Sequence, residues 1–153
     1  MNITKLNIIY EDEYLVVVNK DYNQKLALKD MNPLNNLSKE VSGNIVFLKR
    51  NNFKHKIKCS YLGIVEGYLD KDELDCRLIS QKEKYSIIEY TSFNNDINLR
   101  EHLMKINHPI IGDYKYKSVV NPIKRICLHL YKIEIDNKVI YSPIPDSFRI
   151  FMT

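Results

Sequence analysis

The short run Asn44-Ile45-Val46-Phe47-Leu48 constrains this chain most. It is rich in branched and aromatic residues and lacks alternation, so it predicts a strand buried on both faces. Directly before it lies a polar, turn-prone stretch, Asn35-Asn36-Leu37-Ser38-Lys39-Glu40-Val41-Ser42-Gly43. Gly43 stands where that loop must bend into the strand, a bend glycine takes without steric penalty. A polar loop held by a buried strand is a common place for a reactive group. This loop offers Ser38, Lys39, Glu40 and Ser42, but no Asp, His or Cys.

The rest of the chain reads mainly as strands. Leu6 to Tyr10 and Tyr14 to Asn19 flank an acidic turn, and the continuous Leu15-Val16-Val17-Val18 predicts a central position in a sheet. Residues 21 to 36 lack periodicity, and Pro33 opposes a helix, so a loop with at most one short helical turn is expected there. Cys59 to Val65 is a strand with Cys59, Tyr61, Gly63 and Val65 on one face. Tyr61 beside Gly63 leaves space over the sheet for a flat ligand such as a base; the alternative is a core aromatic. Residues 68 to 74 form a charged turn, followed by strands at Asp75 to Ile79 and Tyr85 to Tyr90 around a solvated loop, Gln81 to Lys84.

Asn94, Asn95 and Asp96 are helix N-cap candidates. Ile97 to Ile106 then follows a helical pattern, with Leu99, Leu103 and Ile106 on one face and Arg100 at its border. Asn107 suits the position after the helix, and His108-Pro109 stops it. Tyr114-Lys115-Tyr116-Lys117 alternates aromatic and cationic residues, which suits base stacking and phosphate binding but is equally an ordinary amphipathic surface. Ile126 to Ile135 is a long strand with Cys127, His129, Tyr131 and Ile133 on one face; Asp136-Asn137 is a hairpin turn, Lys138 to Tyr141 returns, and a tail with Pro143 and Pro145 closes the sheet. Eight strands and one clear helix predict an α+β fold in a single domain over residues 1–153.

Composition excludes several classes. The 153 residues are 44% hydrophobic and 27% charged, as expected of a globular domain with a real core. The net charge of +4 permits a nucleic-acid partner without demanding one. Cys59, Cys76 and Cys127 form no C-x-x-C pair, and His55, His102, His108 and His129 show no metal spacing, so no metal is expected and the thiols read as reduced in a cytoplasm. No apolar run approaches membrane-spanning length. The start, Met1 to Lys5, leads into a strand pattern rather than a signal peptide.

Several blocks together resemble the RluA/RsuA-type pseudouridine synthase family. Ile8 to Lys20 is similar to the family's opening strand pair. Leu37-Ser38-Lys39-Glu40-Val41-Ser42-Gly43 resembles its active-site loop, H-R-L-D-K-x-T-S-G. Tyr61-Leu62-Gly63-Ile64-Val65-Glu66-Gly67 resembles its Y-x-A-x-V-x-G strand. Arg100-Glu101-His102-Leu103 through Asn107-His108-Pro109-Ile110-Ile111-Gly112-Asp113 resembles its H-Q-I-R-x-H-L and G-H-P-I-x-G-D segment. Arg125 to His129 and Pro143 to Phe148 resemble its closing strand and tail. The resemblance implies a mostly antiparallel mixed sheet with few helices, a pseudouridine-synthase-like catalytic domain in shortened form. It also implies no cofactor and an RNA partner, ribosomal or transfer RNA.

The departures fall on the chemical residues. The loop aspartate that the family uses for catalysis corresponds to Ser38, and the preceding His and Arg to Asn35 and Asn36. The Thr of T-S-G is Val41, the His and Gln of H-Q-I-R are Ile97 and Asn98, and the lysine two places before Tyr61 is Cys59. Two chemical positions survive: Tyr61, which would pack on the target base, and Arg100, which would pair with the catalytic aspartate. Pseudouridine formation needs an ionised carboxylate at the sugar or base, and serine supplies no charge. Glu40 reads as solvated, Asp113 as a turn residue and Asp96 as a cap. With its aspartate gone, a buried Arg100 would be an unpaired cation. The expected function is therefore RNA binding without catalysis, through Tyr61, Arg100, Lys115, Lys117, Lys124 and Arg125. The alternatives are an active pseudouridine synthase using a displaced carboxylate, and a scaffold protein that has lost RNA.

Overall fold

The computed structural model of the chain describes residues 6–50, 56–93 and 95–152. Its centre is the predicted doubly buried strand, β4 (Ser42–Leu48), every residue of which is buried. Before it come β1 (Ile8–Glu11), β2 (Leu15–Lys20) and a two-residue strand, β3 (Asn32–Pro33). After it come β5 (Ile57–Glu66), β6 (Arg77–Gln81), β7 (Tyr85–Ser92), helix α1 (Asp96–Lys105), β8 (Leu128–Ile135) and β9 (Lys138–Tyr141). Short 3-10 turns span Tyr114–Tyr116 and Asp146–Phe151. All strands join one mixed sheet in the order β1-β2-β4-β8-β5-β7-β6, with β3 beside β4 and β9 beside β8. Every pairing is antiparallel except β4 with β8, where Ser42 lies opposite His129 and Gly43 opposite Leu130. This is the expected α+β architecture.

Alternation in β2 and β4 divides the apolar residues between two layers. Leu15, Val17 and Val46 face the main core, with Leu99 and Leu103 of α1 and Phe148 of the tail. Val16, Val18, Ile45 and Phe47 form a smaller cluster on the opposite face, covered by Leu26, Leu28 and Met31. Residues 21 to 36 thus lack helical periodicity because they are a cover. The chain there runs over the outer face, and Asn32–Pro33 adds an edge strand to β4 where a helical turn was allowed. Proline is tolerated at such an edge because its nitrogen need not donate.

Two glycines decide how the loops meet the sheet. Gly43 has φ +126°, and a Cβ there would overlap the Leu130 backbone, so glycine permits the parallel contact that carries the 35–43 loop onto β8. Gly112 has φ +86°, and a Cβ there would overlap the Arg125 carbonyl, so the 109–113 turn lies directly on the entry to β8. Asn107 takes φ +65° after α1, as its position predicts, and Asp136 takes φ +54° in the β8–β9 turn. The start of the chain, His55 and Asn94 lie outside the described residues.

Candidate functional site

The 35–43 loop is fixed at both ends. The Asn35 side chain donates to the Asn44 carbonyl at 3.0 Å and accepts from the Val46 N–H at 2.8 Å, so it bridges the loop to β4. On the other side Lys20, 2% exposed, donates to the carbonyls of Lys39 and Asp21 at 2.8 and 2.9 Å. Burial pulls the Lys20 pKa down to about 8, against the attraction of Asp96 and Glu40. Ser38, which the family resemblance aligns with the catalytic aspartate, is half-buried. Its N–H donates to Asp96 Oδ1 at 3.0 Å and its hydroxyl to Asp96 Oδ2 at 2.5 Å.

Asp96 reaches the loop because it is not the cap. Asn95 caps α1, its Oδ1 accepting from the Ile97 and Asn98 N–H groups. That leaves Asp96 in the first helical position, 1% exposed and turned to Ser38. One turn on, Arg100 is 3% exposed. Its Nε and Nη2 donate to the two Asp113 oxygens at 2.8 and 2.7 Å, and Nη1 stands 3.7 Å from both Asp96 and Glu40. The Tyr116 ring lies 4.9 Å from the guanidinium. Burial opposes the Arg100 charge, but the hydrogen bonds and charge of Asp113, with Asp96 and Glu40 behind it, hold its pKa above the ordinary arginine value.

This corrects three expectations. Arg100 is not an unpaired cation: Asp113 supplies a bidentate partner in place of a loop aspartate. Glu40 is not simply solvated; it is half-buried and paired with Lys115 at 2.7 Å, and that hydrogen bond lowers its pKa. Asp96 is not a cap, and the carboxylate missing from the loop has a counterpart across from it. The i, i+4 spacing of Asp96 and Arg100 on a helix was the one sequence signal for this cluster.

Tyr61 lies in the core. It is 1% exposed on β5, and burial first of all raises its phenol pKa. The room expected beside Gly63 is filled, because a Cβ there would meet Leu128 and Ile88 at ordinary contact distance. Tyr61 therefore stands as the core aromatic of the two readings, although it contributes to the lining of a separate hollow of about 170 Å³ beside Asn35, Asn36 and Asn95.

An open cleft of about 270 Å³ lies on the other side of Arg100. Arg100, Lys115, Lys124 and Arg125 line it together with Glu40, Asp113, Asn23, Tyr114 and Asn121. Lys117 is exposed at φ +70° and is not among the lining residues. Arg125 is buried, and Ser42 of the loop accepts from its Nη2 at 2.7 Å. Ser42 in turn contacts His129 Nδ1 at 2.7 Å, and His129 Nε2 contacts Ser142 Oγ at 2.8 Å. Ser142 Oγ donates to the Leu130 carbonyl at 3.1 Å and so accepts from His129 Nε2–H, which leaves Nδ1 of a neutral ring to accept from the Ser42 hydroxyl. Burial, aided by the Arg125 charge, lowers the His129 pKa to about 4. Among the described residues no group of His, Cys, Asp or Glu is arranged to hold a metal ion, and no helix is long and apolar enough to cross a membrane.

No family model matches the chain. An uncharacterized RNA pseudouridine synthase of Helicobacter pylori J99 is 28% identical, over 97% of this chain and 78% of that protein. That alignment runs over 190 positions against 153 residues, so the relative carries segments that this chain lacks. Ribosomal large subunit pseudouridine synthase D of Borreliella burgdorferi is 29% identical over 61% of this chain and 36% of its own. Among solved structures, human RNA pseudouridylate synthase domain containing 4 covers 94% of this chain and 92% of that one, with a TM-score of 0.71 at 16% identity. Human RNA pseudouridylate synthase domain containing 1 covers 97% and 87%, with a TM-score of 0.69 at 17% identity. The likenesses to the solved structures show the fold, and the Helicobacter pylori relative aligns with nearly the whole chain. Together these likenesses support placing the chain with the RluA-type RNA pseudouridine synthases.

Proposed function

We propose that this protein binds RNA, ribosomal or transfer RNA, through the cleft beside Arg100 and does not isomerise uridine by its family's loop chemistry. The carrying observation is the state of Ser38 and Arg100. The loop position that needs a free carboxylate holds a hydroxyl already donated to Asp96, and Arg100 is occupied by Asp113. The one carboxylate on the loop, Glu40, is paired with Lys115 at 2.7 Å, so no free loop carboxylate is left to act on a ribose or a base. RNA binding is supported by the family and by the cationic residues that line the cleft.

Asp96 supports a second reading. Its carboxylate lies against the loop and 3.7 Å from Arg100, so it is the candidate for a displaced catalytic group. One experiment separates the two. Purified protein is titrated with cellular ribosomal and transfer RNA across a salt series, and the bound RNA is assayed for pseudouridine. Salt-dependent binding without new pseudouridine is the expected result. New pseudouridine that disappears in Asp96→Asn would establish the second reading, and no binding at low salt would overturn both.

A further inference from the structure

The charges of the cleft cancel unevenly. Arg100 is matched by Asp113, and Lys115 by Glu40. Those two pairs account for both carboxylates among the lining residues. Lys124 and Arg125 remain, and among the described residues neither forms an ion pair. Lys124 is exposed, where water screens its charge. Arg125 is 6% exposed, and a guanidinium so far removed from water is costly without a counter-charge.

The protein holds that guanidinium rigidly but without neutralising it. Its faces are covered by Tyr22 and Phe148, with ring centroids 4.7 and 4.9 Å away. Nε donates to the Ile126 carbonyl at 2.9 Å, and Nη2 to Ser42 Oγ at 2.7 Å and the Leu128 carbonyl at 3.3 Å. All these acceptors are uncharged. Nη1 is the remaining nitrogen: it has no acceptor among the described residues, and it is not sealed from solvent. His129, behind Ser42, is held neutral and adds no competing cation.

We infer that Arg125, rather than the family's Arg100, is the anion seat of the cleft, and that its free Nη1 edge takes a backbone phosphodiester of the bound RNA. The inference rests on the RNA-binding reading and adds the residue and the group it holds. A phosphate supplies the charge that Arg125 lacks, and arginine presents its N–H groups in a plane suited to phosphate oxygens. Lys124 stands at the same mouth as the exposed second cation. Arg100 cannot serve, because both N–H groups of its fork are spent on Asp113.

The test measures RNA affinity of the full chain against salt for wild type, Arg125→Gln and Lys71→Gln, the last an exposed lysine of the 68–74 turn outside the cleft. Arg125→Gln is expected to weaken binding about tenfold or more at low salt and to flatten the log–log salt slope by about 0.7, the value of one single-strand phosphate contact. Lys71→Gln should keep the wild-type slope. A wild-type slope and affinity in folded Arg125→Gln would overturn the inference while leaving RNA binding intact; absence of wild-type binding would overturn the RNA reading itself. If Arg125→Gln does not fold, Arg125→Lys is compared with wild type on oligonucleotides carrying one neutral methylphosphonate linkage. The linkage that costs wild type most should cost the lysine variant several-fold less, and equal losses in both proteins would overturn the inference.

Discussion

Placing at position 38 the aspartate that the family resemblance implies should destabilise this protein. The Ser38 hydroxyl sits 2.5 Å from Asp96 Oδ2, so the longer carboxylate of Ser38→Asp would meet a buried carboxylate at contact distance. Two ionised carboxylates about 3.5 Å apart repel by roughly 5 kcal/mol at an effective dielectric of about 20. Arg100 cannot relieve this, since Nε and Nη2 are bound to Asp113 and Nη1 is already 3.7 Å from Asp96. The pair escapes by keeping one proton, which raises one folded-state pKa above the unfolded carboxylate value of about 4. The native variant then binds more protons than its unfolded chain, so its stability falls as pH rises above about 4. Urea unfolding of Ser38→Asp should show a loss of about 2–5 kcal/mol against wild type at pH 8 and a clearly smaller loss at pH 5. Adding Asp96→Asn should recover most of the pH 8 loss. If uridine isomerisation returns at all, it returns in this double variant, which places one ionised carboxylate on the loop near Arg100. A Ser38→Asp protein as stable as wild type at pH 8 would refute the Ser38–Asp96 contact and the reasoning built on it.

Other perturbations probe the same framework. His129 has a folded pKa of about 4 against about 6.5 unfolded, so the unfolded chain binds the extra proton between those values, and stability should fall by about 3 kcal/mol as pH drops from 6.5 to 4; a pH series of urea midpoints in which His129→Gln shows the same fall would contradict it. Arg100→Met leaves buried Asp113 without its bidentate partner and should cost about 3–5 kcal/mol by the same unfolding assay, whereas a loss under 1 kcal/mol would mean that the pair is not buried in solution. Gly43→Ala forces a Cβ onto the Leu130 backbone at a positive φ and should destabilise by roughly 2 kcal/mol or more, lowering the thermal midpoint, with hydrogen exchange speeding first where β4 meets β8. An unchanged midpoint would place the loop elsewhere.

Much of the architecture was legible from local pattern. The branched runs at Leu15–Val18 and Ile45–Leu48 are strands because their side chains need burial on both faces, and both are buried. The Asp136-Asn137 turn and the Asn107 helix exit each follow from a short segment's own conformational preferences. The residue blocks that resemble the family also identified the fold, since they are the turns and buried strands that build it. The same local logic placed Ser38 on a loop beside β4.

What it could not supply was which partner each site residue meets. Ser38 and Asp96 are 58 positions apart and touch only because β4 and α1 pack on the same side of the sheet. Arg100 takes Asp113 because the Gly112 turn is laid on Arg125 next to the helix, a contact that spacing along the chain does not encode. Tyr61 is buried and the space over Gly63 is taken by Leu128 and Ile88, although the alternation is that of any half-open strand. The sequence by itself determined which segments became strands and helix, because those choices depend on neighbours a few residues away. The tertiary structure alone decided which charges are neutralised and which remain, because Coulomb energy and desolvation depend on distances and burial that exist only after the sheet has closed.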